Sequence, residues 1–154
     1  TLGKFIREVL NSIEHSGIKQ VAIINAHGGN YVLRNLAQEV NLIEKRLLLW
    51  PTNQHWQTAI HFAGIESSIH EDMHAGEIET SILLHLSPNL VRKDRIQDHS
   101  ASDRAYLHLK GMKGYTSSGV IGFPSRASAQ KGAFLLESLA LSACKDLEDL
   151  INPK

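Results

Sequence analysis

The sequence predicts an α/β fold built on a parallel sheet, and two observations support this. Short continuous apolar runs at Val21–Ile24 and Leu47–Trp50 are typical of strands that are covered on both faces. Amphipathic helical patterns precede the first run and separate it from the second, with short joins between them. Because parallel strands need a helical crossover between them, this alternation favours a parallel sheet.

The first half of the chain contains the clearest elements. Residues 2–13 carry apolar side chains at helical spacing, and Gly17 ends this helix favourably. The segment 25–30 (NAHGGN) is a glycine-containing turn after the first strand. Asn30, at its end, is predicted to cap a second helix whose apolar stripe runs to Ile43. Pro51 ends the second strand.

The second half is less regular. Residues 52–73 have no clean period and are predicted to be irregular, and a helix is predicted at Glu77–Leu86. Residues 91–128 form a long polar connection, and stretches of that length are usually functional or face a partner. Residues 133–151 form a strong amphipathic helix. No second domain is indicated, so residues 1–154 are predicted to be one domain.

Composition excludes several classes of protein. Sixteen basic and sixteen acidic residues leave no net charge with histidine neutral, so no nucleic-acid partner is expected. No apolar run approaches the roughly 18 residues of a membrane span, and no signal peptide opens the chain, so a cytoplasmic protein without a membrane partner is predicted. Cys144 is the single cysteine, which excludes an internal disulfide, and we expect it to be buried.

The chain holds nine histidines, a large number for a neutral protein of 154 residues. Histidine is the commonest metal ligand and the usual acid or base near neutral pH. The chain also starts at Thr1 rather than at a methionine, and its first residues resemble the interior of a folded protein. We therefore expect the chain to be a fragment of a longer protein.

The NAHGGN turn is the first candidate site. It follows a predicted parallel strand at its carboxyl end, where open α/β sheets bind ligands, and it presents His27 there. Gly28 and Gly29 permit positive φ and a close approach of the backbone to a ligand. With Asn30 and the next helix N-terminus, they form a candidate loop for a substrate or an anion. The alternative is a tight strand-to-helix turn without further function, and spacing alone does not separate the two.

The second candidate is the segment 74–81 (HAGEIETS). His74 precedes a helix, Gly76 permits a sharp entry, and Glu79 lies near the first turn. A histidine and a glutamate five residues apart across a turn can converge on one cavity, with the glutamate as metal ligand and the histidine as acid or base. The alternative is that Glu77 and Glu79 only stabilise the helix N-terminus.

Together the two motifs resemble the creatininase (creatinine amidohydrolase) family, which carries N-x-H-G-G-N and H-A-G-x-x-E-T-S. Residues 118–128, followed by Lys131 and Gly132, are similar to a third segment of that family, so the resemblance covers most of the chain. It implies a three-layer α/β/α fold with a mainly parallel sheet. It also implies a metal-dependent amidohydrolase that cleaves a C–N bond in a small nitrogen compound, namely a cyclic amide, an amidine or a formamide.

The resemblance also assigns cofactors and roles. Two divalent metals, Zn²⁺ or Mn²⁺ and in some members Fe²⁺, are implied in each complete site, and a homo-oligomer, a hexamer in the family, is implied as the assembly. By motif matching, His27 corresponds to a metal ligand and His74 to the proton donor for the leaving nitrogen. Glu79 corresponds to the acid of the ETS segment, which binds metal or its bridging water and belongs to the catalytic set.

The sequence departs from the family in two informative places. An N-terminal Glu-x-His-Gly segment with a following aspartate, which supplies metal ligands in the family, has no match here. The resemblance therefore implies that this chain lacks that ligand segment and at least one sheet strand, and that its own metal site is incomplete. Creatinine is not the expected substrate, because Gly29 replaces a glutamate ligand of creatinine-hydrolysing members and residues 67–73 contain no tryptophan.

Two other classes of function remain open from the sequence. The chain could be a non-catalytic anion-binding or assembly protein derived from the fold, in which the glycine loop and the helix N-terminus hold an anion. A weaker alternative is metal sensing or storage by the additional histidines. A missing strand would also expose a pairing edge, so we expect association with a second copy or with the missing segment.

Overall fold

In a computed structural model of the chain, residues 1–43 and 46–152 are described. Contacts group the chain into two compact units. The sheet unit comprises residues 1–56 and 140–154, and the helical unit comprises residues 57–139. The prediction of one domain over residues 1–154 stays a prediction.

The described residues form two strands and six α-helices, joined by short turns of 3₁₀-helix. The strands are β1 (Val21–Ile24) and β2 (Leu47–Trp50). The helices are α1 (Leu2–His15), α2 (Val32–Asn41), α3 (Asn53–Phe62), α4 (Glu77–Leu86), α5 (Leu107–Lys110) and α6 (Ala129–Ile151). None of these helices is both long enough and apolar enough to cross a membrane, as far as the described residues extend.

The sheet unit is built on two parallel strands. Val21 of β1 lies opposite Leu47 of β2, and Ile24 lies opposite Trp50. Leu10 of α1, Ala37 of α2 and Leu47 of β2 are buried together, with further partly buried apolar side chains around them (Ile6, Val21, Ile23, Val40 and Leu49). The predicted strands and their parallel pairing are therefore confirmed, and the apolar stripes of α1 and α2 supply the core beside them.

One side chain occupies part of the outer edge of β2. Asn41 accepts hydrogen bonds on its Oδ1 from the backbone N–H groups of Arg46 and Leu47, each at 3.0 Å. Its Nδ2 donates to the carbonyl oxygen of Leu47 at 2.8 Å. The side-chain amide thus satisfies both outward backbone groups of Leu47.

In the helical unit, α6 and α4 approach each other closely. A Cβ atom on Gly132 of α6 would lie 2.0 Å from the carbonyl oxygen of Ser81 in α4, so only glycine fits there. The Ser81 side chain is fully buried and accepts a hydrogen bond from the N–H of Ser128 at 3.2 Å. Leu135 and Ile121 have no exposed surface and belong to the core of this unit.

Three expectations for the second half were wrong. Residues 53–62 form a helix, because Trp56, Ala59 and Ile60 do recur at helical spacing although polar residues and histidines obscure the period. The last helix begins at Ala129 rather than Ala133, since the Oγ of Ser128 accepts the N–H of Lys131 and caps it. Cys144 is exposed rather than buried.

The long connection from 91 to 128 is partly structured. It contains the short helix α5, several 3₁₀ turns and two isolated antiparallel bridges, which pair His74 with Ile121 and His99 with Gly122. The first bridge attaches the third family-like segment to the segment that carries His74, and the second attaches it to His99 within the connection. The connection therefore has a structural function of its own within the helical unit.

Candidate functional site

The NAHGGN turn leads from β1 to α2 in the sheet unit and is closed by its own side chains. Asn25 Oδ1 accepts hydrogen bonds from Asn30 Nδ2 at 2.9 Å and from the N–H of His27 at 3.3 Å. The N–H of Gly29 donates to Nδ1 of His27 at 3.0 Å. The turn therefore holds the exposed His27 ring through Nδ1.

The structure corrects two expectations about this turn. Neither Gly28 nor Gly29 has positive φ. A Cβ at position 29 would lie 2.9 Å from Cε1 of the His27 ring, so Gly29 lets the ring lie close over the turn. Asn30 does not cap α2, which begins at Val32; its side chain bonds to Asn25 instead. The role of Gly28, Gly29 and Asn30 as a substrate or anion loop stays a prediction.

The turn before α4, in the helical unit, carries His74. The N–H of His74 donates to the carbonyl oxygen of Ile121 at 2.9 Å, and the N–H of Ile121 donates back at the same distance. The next residue, Ala75, has φ of 52°. A non-glycine residue in the left-handed region is strained, and this strain occurs beside a candidate catalytic side chain.

The structure brings His74 and Glu79 together. Nδ1 of His74 lies 3.9 Å from Oε2 of Glu79, and the same oxygen accepts the N–H of Ala75 at 2.5 Å. Both side chains are open to solvent, with 52% of the His74 side chain and 58% of the Glu79 side chain exposed. The approach expected from their spacing is thus present, while a shared cavity and their catalytic and ligand roles stay predictions.

Glu77 lies under this turn and is fully buried. Its carboxylate accepts the N–H and the hydroxyl of Ser67 at 2.9 and 2.7 Å, and Lys131 Nζ at 2.6 Å. Burial alone would raise the pKa of Glu77, but the hydrogen bonds from Lys131, Ser67 and Glu66 outweigh burial and hold the pKa below its ordinary value. The sequence suggested only a helix-dipole role for Glu77, because its partners lie ten and fifty-four residues away.

Asp72 is a second buried carboxyl group that sequence reasoning missed. Its Oδ2 accepts the N–H of Ile78, in the first turn of α4, at 2.6 Å. Burial, followed by the nearby carboxylates of Glu77 and Glu79, raises the pKa of Asp72 to about 6. The signal that could have found it is its position shortly before a helix, where aspartate commonly caps the free N–H groups.

Comparison with known proteins decides the family. A family model described as creatininase, creatinine amidohydrolase, matches residues 1–147. The chain belongs to the creatininase family. Among curated relatives, the mycofactocin precursor peptide peptidase of Mycobacterium ulcerans is 33% identical, with 73% of this chain and 42% of that protein covered. The protein of the same name from Mycolicibacterium smegmatis is 28% identical, with 82% and 47% covered.

Solved creatininase structures share the fold. A protein from Bacteroides fragilis, provisionally named a creatinine amidohydrolase, matches 100% of this chain with a TM-score of 0.76 at 23% identity. A manganese form of creatininase matches 99% of it with a TM-score of 0.79 at 19% identity. The chain covers 62% and 64% of these two structures and less than half of the curated relatives. The predicted creatininase-like α/β fold with its parallel sheet is confirmed.

The two predicted metal ligands of this creatininase-family chain belong to different units, His27 to the sheet unit and Glu79 to the helical unit. Within residues 1–43 and 46–152, no group of three or more His, Cys, Asp or Glu side chains is arranged to hold a metal ion. Nδ1 of His27 already accepts a backbone N–H, and Oε2 of Glu79 does the same. The described residues alone therefore do not fit a metal site.

Proposed function

We propose that the complete protein is a hydrolase that cleaves an amide C–N bond, and that this chain supplies the proton donor for the leaving nitrogen. The observation that carries the proposal is the solvent-open pair of His74 and Glu79, with Nδ1 of the imidazole 3.9 Å from the carboxylate. Membership of the creatininase family supports it, as do relatives named peptidases.

The geometry divides the chemistry between the two side chains. Glu79 lies beside Nδ1 of His74 and is itself held by the N–H of Ala75, so it can fix the orientation of the imidazole ring. The other ring nitrogen, Nε2, is then free to face a substrate. Water forms a C–O bond to the amide carbon, and the C–N bond breaks as a proton from Nε2 passes to the departing nitrogen. The proton that the water gives up restores the imidazole, and the products are an amine and a carboxylic acid.

For the substrate, we favour a peptide amide. The relatives that are 28% and 33% identical are both named peptide peptidases, whereas the two solved structures described above are 23% and 19% identical. A small nitrogen compound, namely a cyclic amide, amidine or formamide, is the second candidate, and the fold shared with creatininases supports it. Creatinine itself remains the least favoured member of that group.

Divalent metal and assembly belong to the same proposal. Solved relatives include manganese and zinc–zinc forms of creatininase, which supports Zn²⁺ or Mn²⁺, with Fe²⁺ as a further option, in the complete protein. Because the described residues do not fit a metal site, His27 and Glu79 would need additional ligands from other groups. We also propose a homo-oligomer, which could provide such groups from a second copy.

The deciding experiment compares His74→Ala with His61→Ala in the complete protein. His61 is an exposed histidine of α3 and serves as a control for histidine removal in general. Release of amine from short peptide amides and from cyclic amides and formamides is followed at neutral pH with added Mn²⁺ or Zn²⁺. We expect His74→Ala to lower kcat about 10²- to 10⁴-fold and His61→Ala to leave it unchanged.

Two results would contradict the proposal. Equal activity of the two variants would remove His74 from the reaction. Failure of the wild-type protein to hydrolyse any compound of the panel would favour a non-catalytic anion-binding or assembly protein instead. In that case inorganic phosphate should bind the wild type and His74→Ala with equal affinity, because the anion would lie at the glycine loop of the sheet unit.

A further inference from the structure

A slot in the helical unit receives the carboxyl group of Asp72. On one side is Gly76, where a Cβ atom would lie 1.7 Å from Oδ1 of Asp72. On the other side is Gly122, where a Cβ atom would lie 2.7 Å from the same oxygen. Asp72 is only 8% exposed, and its carboxyl group is enclosed between the two glycines. A side chain at either glycine position would occupy the space that the carboxyl group fills.

The Asp72 carboxyl group contacts both segments that hold the candidate pair. Oδ2 accepts the N–H of Ile78 at 2.6 Å, which fixes the first turn of α4 and with it Glu79. Oδ1 lies against Gly122, next to Ile121, whose backbone bonds to His74 in both directions. The carboxyl group therefore joins the support of the imidazole to the support of the carboxylate.

We propose that Asp72 is a positioning residue that sets the separation of His74 and Glu79 by filling the slot between Gly76 and Gly122. Asp72 does not contact the substrate. It acts on the candidate pair through the turn before α4 that carries His74 and Ala75. Ala75, strained at φ of 52°, stays in place because its N–H bonds to Glu79. Without the carboxyl group beneath, the turn can relax and the imidazole can move away from Glu79.

The inference rests on the proposed function for its kinetic consequence, but not for its structural one. The structural readout is the backbone amide of Ala75, which donates to Glu79 at 2.5 Å and therefore resonates at low field. If the turn relaxes, the hydrogen bond from Ala75 to Glu79 lengthens and this amide resonance moves upfield. The amides of β1, in the sheet unit, serve as an internal reference, because a local change in the turn before α4 does not alter their chemical shifts.

The experiment uses the complete protein and compares Asp72→Ala with Glu71→Ala. Glu71 is the neighbouring carboxylate, exposed and bonded to Ser68, so it controls for loss of a nearby charge. We expect Asp72→Ala to lower kcat about 10- to 100-fold with little change in KM, since small displacements of a reacting group cost this much. The Ala75 amide should move upfield, and Asp72→Asn, which keeps the volume and an acceptor oxygen, should restore most of kcat.

Each outcome decides the proposal. An Ala75 amide at the same position in Asp72→Ala as in the wild type overturns it, as does a kcat equal to that of Glu71→Ala. If the wild type shows no hydrolysis, the proposed function fails, and the Ala75 resonance alone decides the positioning role. If Asp72→Ala does not fold, Asp72→Ser replaces it, because a hydroxyl can still accept a first-turn N–H while leaving the slot empty, and the same upfield movement is expected.

Discussion

Asp72 and Glu77 are buried carboxyl groups five residues apart in one unit, yet their surroundings shift their pKa values in opposite directions. Glu77 is matched by the Lys131 ammonium and by four hydrogen-bond donors in all, which hold the pKa of Glu77 low. Asp72 has the N–H groups of the α4 first turn, but burial and two neighbouring carboxylates dominate and its pKa rises to about 6. Residues that look equivalent in the sequence therefore respond differently to pH.

The raised pKa of Asp72 predicts a pH dependence of stability. An unfolded aspartate has a pKa of about 4, so between about pH 4 and 6 the folded state keeps a proton that the unfolded state has lost. The free energy of unfolding should thus fall as pH rises through this window. Above it, ionisation of Asp72 costs up to about 2–3 kcal/mol, and below it this cost is absent.

Asp72→Asn tests this prediction because it removes the titration and keeps the volume. Urea unfolding from pH 4 to 8 should show that the stability of the wild type relative to Asp72→Asn declines with increasing pH. Asp94→Asn, a change at an exposed aspartate, is the matched control and should follow the wild type throughout. A constant difference between wild type and Asp72→Asn would mean that Asp72 titrates normally.

At the scale of elements, the contact between α4 and α6 depends on the absence of a side chain at Gly132. The backbone of α6 at Gly132 lies so close to Ser81 that a Cβ atom would be 2.0 Å from a carbonyl oxygen of α4. That oxygen belongs to a helix backbone and cannot swing aside like a flexible side chain. Small residues at such a crossing therefore set the distance between the two helices.

Gly132→Ala should destabilise the protein for this reason. We expect a loss of about 1–3 kcal/mol or more in the free energy of unfolding, because the helices must separate to admit the methyl group. The matched control is Gly3→Ala in α1, where a Cβ would have no heavy atom within 4 Å. That change should be neutral or stabilise by up to about 1 kcal/mol, since alanine is the better helix former. Equal chemical denaturation midpoints for the two variants would contradict the close approach.

The bounds of some helices and strands can be predicted from the sequence, and those of others cannot. Elements with an uninterrupted local pattern, β1, β2 and α4, have the predicted bounds. Helix α3 was missed because its apolar residues are few and one of them is a small alanine, Ala59, which is buried all the same. Local patterns report burial only when the buried side chains are large and apolar.

Some features of the candidate site can likewise be predicted from the sequence, and others cannot. The approach of His74 to Glu79 follows from spacing across a single turn, and the sequence predicts it. The slot for Asp72 does not follow from spacing, because Gly122 lies fifty residues away and reaches Asp72 only through pairing with the His74 segment. The close approach of the His27 ring to Gly29 was also beyond sequence reasoning, since it depends on how the ring folds back over the turn.

At the scale of the whole molecule, the chain spans less than half the length of its curated relatives and contributes two predicted metal ligands. Metal content by mass spectrometry should therefore differ between this 154-residue chain and the complete protein. We expect about two equivalents of Zn²⁺ or Mn²⁺ in the complete protein and well under one in the chain alone. His27→Ala should reduce the metal content of the complete protein, whereas His61→Ala should not. A fully loaded isolated chain would contradict this division of ligands.

The amide of Asn41 has a consequence for how copies of this molecule can meet. The N–H of Val21 and that of Asn25 point to β2, so the backbone groups of Ala22 and Ile24 point to the opposite, outer edge of β1. The outer edge of β2 is different. The side-chain amide of Asn41 bonds to both outward backbone groups of Leu47, and Pro51 has no N–H to donate. Open-ended stacking of sheets would require a β1 edge to pair with a β2 edge, and the β2 edge is already occupied at Leu47. Pairing of copies of this chain is therefore favoured between β1 and β1, a closed twofold arrangement that ends at two molecules.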